Sequence, residues 1–87
     1  MDSKTFSEQI IKVLQDKKAE DIVRVNLTGK TEVSDYFVVA SGRSMTHTRS
    51  LIENVEYEME KAGVRAIRSE GVREGRWAVL DYGDVLV

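Results

Sequence analysis

Tyr36-Phe37-Val38-Val39-Ala40-Ser41-Gly42-Arg43-Ser44 is an apolar run broken by a glycine and followed by a serine able to cap a helix. The stretch from Tyr36 to Ala40 is rich in aromatic and β-branched side chains, which predicts a strand covered on both faces near the middle of a sheet. Gly42 breaks that strand and Ser44 can cap the helix that follows. Leu51, Ile52, Val55, Met59 and Ala62 then form an apolar stripe, and Gly63 closes the helix as a C′ residue. A strand, a glycine turn and an amphipathic helix of about 18 residues, to within the residue or two by which such boundaries vary, form one unit of an α/β fold.

Working outward from this unit, Thr5-x-x-Glu8 has capping-box spacing, and Phe6, Ile10, Val13 and Leu14 recur at helical intervals, so Thr5 to Lys17 reads as a first amphipathic helix. Ile22 to Leu27 alternates Val23, Val25 and Leu27 against Arg24 and Asn26, a strand with one wet face. Thr28-Gly29-Lys30-Thr31 connects it to the central strand. The first two strands are close enough to pair antiparallel, whereas strand, helix and strand imply a crossover onto a parallel neighbour, so the sheet is mixed. Val64 to Ile67 is the expected return strand, and Glu70-Gly71-Val72-Arg73-Glu74-Gly75 leads into a strand from Trp77 to Asp81. Tyr82-Gly83 reads as a two-residue hairpin loop, with Asp84 to Val87 as an edge strand. The expected architecture is α/β: a small single domain over residues 1–87, with a mixed sheet of about five strands and two main helices. A hydrophobic edge strand at Val87 exposes backbone donors and acceptors, which implies that another chain pairs there or that the natural protein continues.

Composition narrows the function. Eighty-seven residues with 41% hydrophobic content make one domain, which buries somewhat over ~60% of its unfolded surface. No cysteine and a single histidine, His47, argue against a disulfide framework and a thiolate or histidine-rich zinc site. Thirteen basic and fifteen acidic side chains leave a net charge of -2, which gives no long-range attraction to phosphate backbones, so little direct nucleic-acid contact is expected. The amino terminus has neither a signal core nor a transit-peptide pattern, and no apolar run reaches the ~18 residues of a membrane span. The expectation is a cytoplasmic protein without membrane contact.

Several motifs carry competing readings. Gly42-Arg43-Ser44 at a helix amino terminus could hold an anion, but the spaced glycines or the lysine of phosphate loops are missing, and a turn glycine with a capping serine is the ordinary meaning. Asp81 and Asp84 invite a metal reading, yet carboxylates sharing a metal from one strand should stand two apart; at three apart they fit better as flanks of a turn. His47 lies in the first turn of the second helix without a nucleophile and orienting group, which favours a surface or capping role over general base chemistry. Trp77 could fill core or anchor an interface. Arg65, Arg68, Arg73 and Arg76, interrupted by Glu70 and Glu74, form a loose cationic band that reads as surface ion pairs, and Glu53, Glu56, Glu58 and Glu60 read as a solvated helix face.

Taken together, blocks spread from Ala19 to Val87 resemble the Iojap family, also called ribosomal silencing factor S. Ala19-Glu20-Asp21-Ile22 resembles the opening of the family's first strand; Asp35-Tyr36-Phe37, Ser41-Gly42-Arg43-Ser44 and His47 resemble its central block; Glu70-Gly71 ahead of Trp77 and Leu80-Asp81-Tyr82-Gly83-Asp84-Val85 are similar to its closing signature. The resemblance implies a nucleotidyltransferase-like topology without that chemistry. It further implies docking on the large ribosomal subunit, through the large-subunit ribosomal protein numbered fourteen, at the face where the small subunit would join. Such a protein acts by exclusion, without a cofactor, either holding translation down when nutrients are short or aiding large-subunit assembly. Family members continue past the position of Val87 with a histidine, further strand residues and a short C-terminal segment, so the resemblance implies a chain that is truncated or naturally short at this end. Met45-Thr46-His47-Thr48-Arg49-Ser50 is also more polar than the alanine-rich helix usual in the family.

The partner surface expected from these readings carries Trp77, Leu80, Asp81, Tyr82, Gly83 and Asp84, helped by Ser44 and His47, because aromatic and turn residues cluster there at the end of a sheet. The alternative from another class is a nucleotidyltransferase-like enzyme holding a metal-nucleotide at Ser44, Asp81 and Asp84. A third reading, a homodimer through the Val85-Leu86-Val87 edge, is compatible with the first.

Overall fold

The computed structural model describes residues 2–30, 32, 34–71 and 76–87. Helix α1 (Ser3–Asp16) is followed by strands β1 (Glu20–Asn26) and β2 (Tyr36–Ser41), helix α2 (Met45–Lys61), and strands β3 (Arg68–Glu70), β4 (Val79–Asp81) and β5 (Val85–Leu86). The strands form one mixed sheet in the order β1-β2-β5-β4-β3. β1 and β2 pair antiparallel, β5 lies parallel to β2, and β4 is antiparallel to both β5 and β3. The α/β expectation of five strands and two helices therefore holds.

The apolar stripes of both helices meet the same side of the sheet. Phe6, Ile10 and Leu14 of α1 and Leu51, Ile52, Val55 and Met59 of α2 close over Tyr36, Val38, Leu80 and Val85 in one buried core. Helix α2 forms where the local signals place it. Ser44 Oγ accepts a hydrogen bond from the His47 amide at 3.1 Å. At the other end the Gly63 amide donates to Glu60 O and the Val64 amide to Met59 O, both at 2.9 Å, the paired bonds of a Schellman close. Gly63 makes that close possible at φ 89°.

Several expectations are corrected. Helix α1 begins earlier than the Thr5 capping box, because the Asp2 carboxylate accepts from the Thr5 amide at 2.7 Å and takes over the cap. That bond holds the Asp2 carboxyl below its usual range. The return strand is Arg68–Glu70 rather than Val64 to Ile67, since the Schellman close uses the Val64 amide, while Val64 and Ala66 pack against the core. The hairpin turns one residue later than expected: the Tyr82 amide donates to Val85 O at 3.0 Å, leaving Gly83 and Asp84 as the loop.

β5 is not an edge strand. Val85 and Leu86 sit between β2 and β4, with Val85 wholly buried, so the pairing that was expected to invite a second copy is used inside the sheet. Nor is β2 covered on both faces. Tyr36 and Val38 enter the core, whereas Phe37 and Val39 alternate outward and are exposed. β1 likewise turns its faces opposite to the simple reading. Val23 is paired with Val39 and Val25 with Phe37, so the valines share the open face. Arg24 instead reaches toward the helices, donating from Nη1 to Ser7 Oγ at 3.1 Å and placing its guanidinium 5.1 Å from the centre of the Tyr36 ring. The connector residue Thr31 and the segment Val72-Arg73-Glu74-Gly75 lie outside the described residues.

Candidate partner-binding surface

The anticipated site residues fall into two groups. The first is the junction between β2 and α2. Gly42 is required there by space: a Cβ on it would lie 2.5 Å from Thr48 Oγ1 and 2.8 Å from the Thr48 amide nitrogen, so the turn closes only with glycine. His47 uses both ring nitrogens inside the fold. Nδ1 accepts from the Arg43 amide at 2.9 Å, which makes Nε2 the protonated nitrogen and donor to Lys17 O at 3.0 Å. This bond ties the end of α1 to the beginning of α2. Ser44 caps and His47 clamps, and the nearby Arg43–Glu20 pair, 3.6 Å apart with both side chains exposed, adds little.

The second group surrounds the β4–β5 hairpin, and its members face different directions. Leu80 is 0% exposed and belongs to the core, so it supports the surface from beneath rather than forming it. Asp81 organises the turn: Oδ1 accepts from the Gly83 amide at 2.8 Å, Oδ2 pairs with Arg68 Nη2 at 3.3 Å, and its carbonyl accepts from the Ile67 amide at 2.6 Å. This is the turn-flanking role favoured by its spacing. Gly83 sits at φ 85°, with its carbonyl accepting from buried Ser34 Oγ at 2.8 Å. The Asp84 carbonyl accepts from the amides of Asp35 and Tyr36 at 2.7 and 3.2 Å, while Asp84 itself is exposed.

Tyr82 points toward the helices. Its ring meets Phe6 edge to face, with centroids 4.9 Å apart, and its hydroxyl is buried without a hydrogen-bond partner among the described residues. Burial first, then the negative charges of Glu56 and Glu60, push its phenol up to about 12. Trp77 is the opposite case, 56% exposed just ahead of β4.

A cleft of about 440 Å³ joins parts of the two groups. Gly42 and Thr48 contribute to one side and Trp77 and Val79 to the other, while Phe37 and Leu86 carry its lining onto the open sheet face. Ser44, His47 and the residues from Asp81 to Asp84 do not line it. The Val23, Val25, Phe37 and Val39 patch was missed as a surface feature; β1 signalled it by alternation, which gives a period but not the side that the helices choose, and the continuous apolar run of β2 hid which of its faces stays open. Arg65, Arg68 and Arg76 of the cationic band are exposed, and Arg73 lies outside the described residues. Among the described residues, no three His, Cys, Asp or Glu side chains are grouped to hold a metal ion, and no helix is long and apolar enough to cross a membrane.

A helical cover on one side, an exposed apolar face on the other and an exposed tryptophan at a cleft define, among the described residues, a small two-layer α/β domain. The chain belongs to the family described as ribosomal silencing factor during starvation, whose model matches residues 1–87. It is similar to a ribosomal silencing factor of Bacillus subtilis, 30% identical over 87 residues, covering 100% of this chain and 74% of that protein. A crystal structure of a Chromobacterium violaceum protein, 32% identical, superposes with a TM-score of 0.96 over 100% of this chain and 72% of the other. A more distant mouse relative, 22% identical over 92% of this chain and 36% of its own length, is named for mitochondrial assembly of the ribosomal large subunit.

Proposed function

We propose that this domain silences translation by docking on the large ribosomal subunit, on its ribosomal protein fourteen, and excluding the small subunit from the joining face. The observation that carries this reading is Trp77: the chain's one tryptophan stands half-exposed at a cleft continuous with an apolar sheet face. An aromatic anchor beside an uncovered apolar patch suits protein recognition, and a surface of that kind is uncommon on a domain without a partner. The family supports the ribosome as its setting, and the name of the mouse relative supports the large subunit.

Trp77 is the anchor, with Val39, Phe37 and Leu86 as apolar neighbours. Asp84 offers an exposed carboxylate on the adjoining turn, while Asp81, Gly83, Leu80, Ser44 and His47 hold the backbone that presents these groups. Exclusion requires affinity and bulk rather than bond chemistry, and Asp81 already directs both carboxylate oxygens to Gly83 and Arg68. The test is cosedimentation with separated subunits, followed by a subunit-joining assay on sucrose gradients. Selective binding to the large subunit and loss of joined ribosomes is the expected result. Wild-type binding by folded Trp77→Ala and Asp84→Ala variants would overturn the assigned surface.

A further inference from the structure

We propose that Gly71 is a positioning residue for Trp77, forming the seat that fixes how the indole faces a partner. β3 ends at Glu70, whose register partner is Val79; one further step sets Gly71 opposite Ala78, beside Trp77. Gly71 has φ 75°, a left-handed conformation that glycine adopts without a side-chain penalty. Space makes a second, independent demand. A Cβ at Gly71 would collide with the Trp77 carbonyl oxygen and lie 2.9 and 3.0 Å from ring carbons Cε3 and Cζ3. The benzo edge of the indole therefore rests where any other side chain would begin.

The two contacts act on different parts of Trp77. Displacing its carbonyl would move the backbone entering β4, while displacing the ring edge would rotate the indole relative to the cleft it lines. With over half of the Trp77 surface exposed, its orientation is set by the contacts on its covered side, and the Gly71 contact is one of them. A prearranged anchor binds more tightly than one that must be ordered on contact. The binding part of this inference rests on the large-subunit reading above; the orientation part does not.

The experiment uses Gly71→Ala, Gly71→Asn and Trp77→Ala, with the double variant Gly71→Ala/Trp77→Ala. Asparagine accepts positive φ better than alanine but carries the same Cβ, so comparing the two separates the turn from the collision. Because the chain has one tryptophan, its fluorescence reports Trp77 directly. Circular dichroism establishes that each variant is folded. Both Gly71 variants are expected to shift the emission to the red, increase acrylamide quenching and weaken large-subunit binding about ten-fold, toward the weakening from Trp77→Ala. In the Trp77→Ala background, Gly71→Ala is expected to cost no further binding, since the group it positions is gone.

Wild-type emission and quenching in Gly71→Asn would overturn the seat and leave the glycine serving only the turn. Wild-type binding by both Gly71 variants, alongside a loss from Trp77→Ala, would overturn positioning. Displaced fluorescence with wild-type binding by all three single variants would instead overturn Trp77 as the ribosome anchor while the seat stands.

Discussion

Replacing Tyr82 by phenylalanine should stabilise the domain, although it removes a polar group from a candidate site. The Tyr82 hydroxyl is buried and has no hydrogen-bond partner among the described residues, and an unsatisfied buried polar group costs about 1–3 kcal/mol. Phenylalanine preserves the edge-to-face contact with Phe6 and leaves the ring's volume almost unchanged. We take the lower end, about 1 kcal/mol, which for a domain of this size raises Tm by about 4–8 °C. Thermal melting at neutral pH is the first assay. A lower Tm for Tyr82→Phe would mean that the hydroxyl is satisfied in solution, and the reasoning would fail.

The same substitution has a pH signature with a definite sign. The folded state raises the phenol from 10.0 to about 12, so it favours the protonated form. The associated stability is fully present below the ordinary value and is lost as pH rises through 10.0 toward about 12. At full strength that interval corresponds to ~2.7 kcal/mol; the ring is only partly buried, and solvent screening lowers it to about 1 kcal/mol. Stability measured by urea unfolding should therefore show the Tyr82→Phe advantage growing from about 1 to about 2 kcal/mol across this alkaline window. A constant difference would refute the proposed burial and charge effects of Glu56 and Glu60, because other alkaline titrations act on both proteins alike.

Other substitutions test the remaining geometry. His47→Ala should cost about 1–2 kcal/mol by urea unfolding, since it removes the bonds to the Arg43 amide and Lys17 carbonyl. Ser44→Ala should cost about 1 kcal/mol through loss of the α2 cap, again read from the unfolding midpoint. Leu80→Ala should lose about 2–4 kcal/mol from the core, whereas Trp77→Ala should stay within about 0.5–1 kcal/mol of the parent and act mainly on ribosome binding. Val39→Lys should retain the parent's circular dichroism but weaken cosedimentation with large subunits, because Val39 is exposed on the face assigned to the partner.

Helix α2 was legible because its signals are local. Ser44, the stripe from Leu51 to Met59 and Gly63 each act within a turn of the residues they organise. The position of β5 was hidden because insertion between β2 and β4 is a long-range choice, decided by burying Val85 against the core. Asp81 was readable as a turn residue from its distance to Asp84, but a one-residue difference in the hairpin determined which backbone amide it received. Trp77 stood out by type, whereas its Gly71 seat depends on a cross-strand approach that spacing alone does not display.

The open face has a topological cause. Both helices cover the Tyr36–Val38 side of the sheet, and none of the described segments supplies a helix to the other side. The opposite positions of β1 and β2 could have carried polar residues at no cost to this core, yet they are Val23, Val25, Phe37 and Val39. Exposed as they are, these side chains gain little from folding the domain; their apolar area is available to be buried by another surface. Trp77 at the neighbouring cleft extends that exposed apolar area, so among the described residues the composition of the open face is one that packing within the domain does not require and that the proposed docking would use.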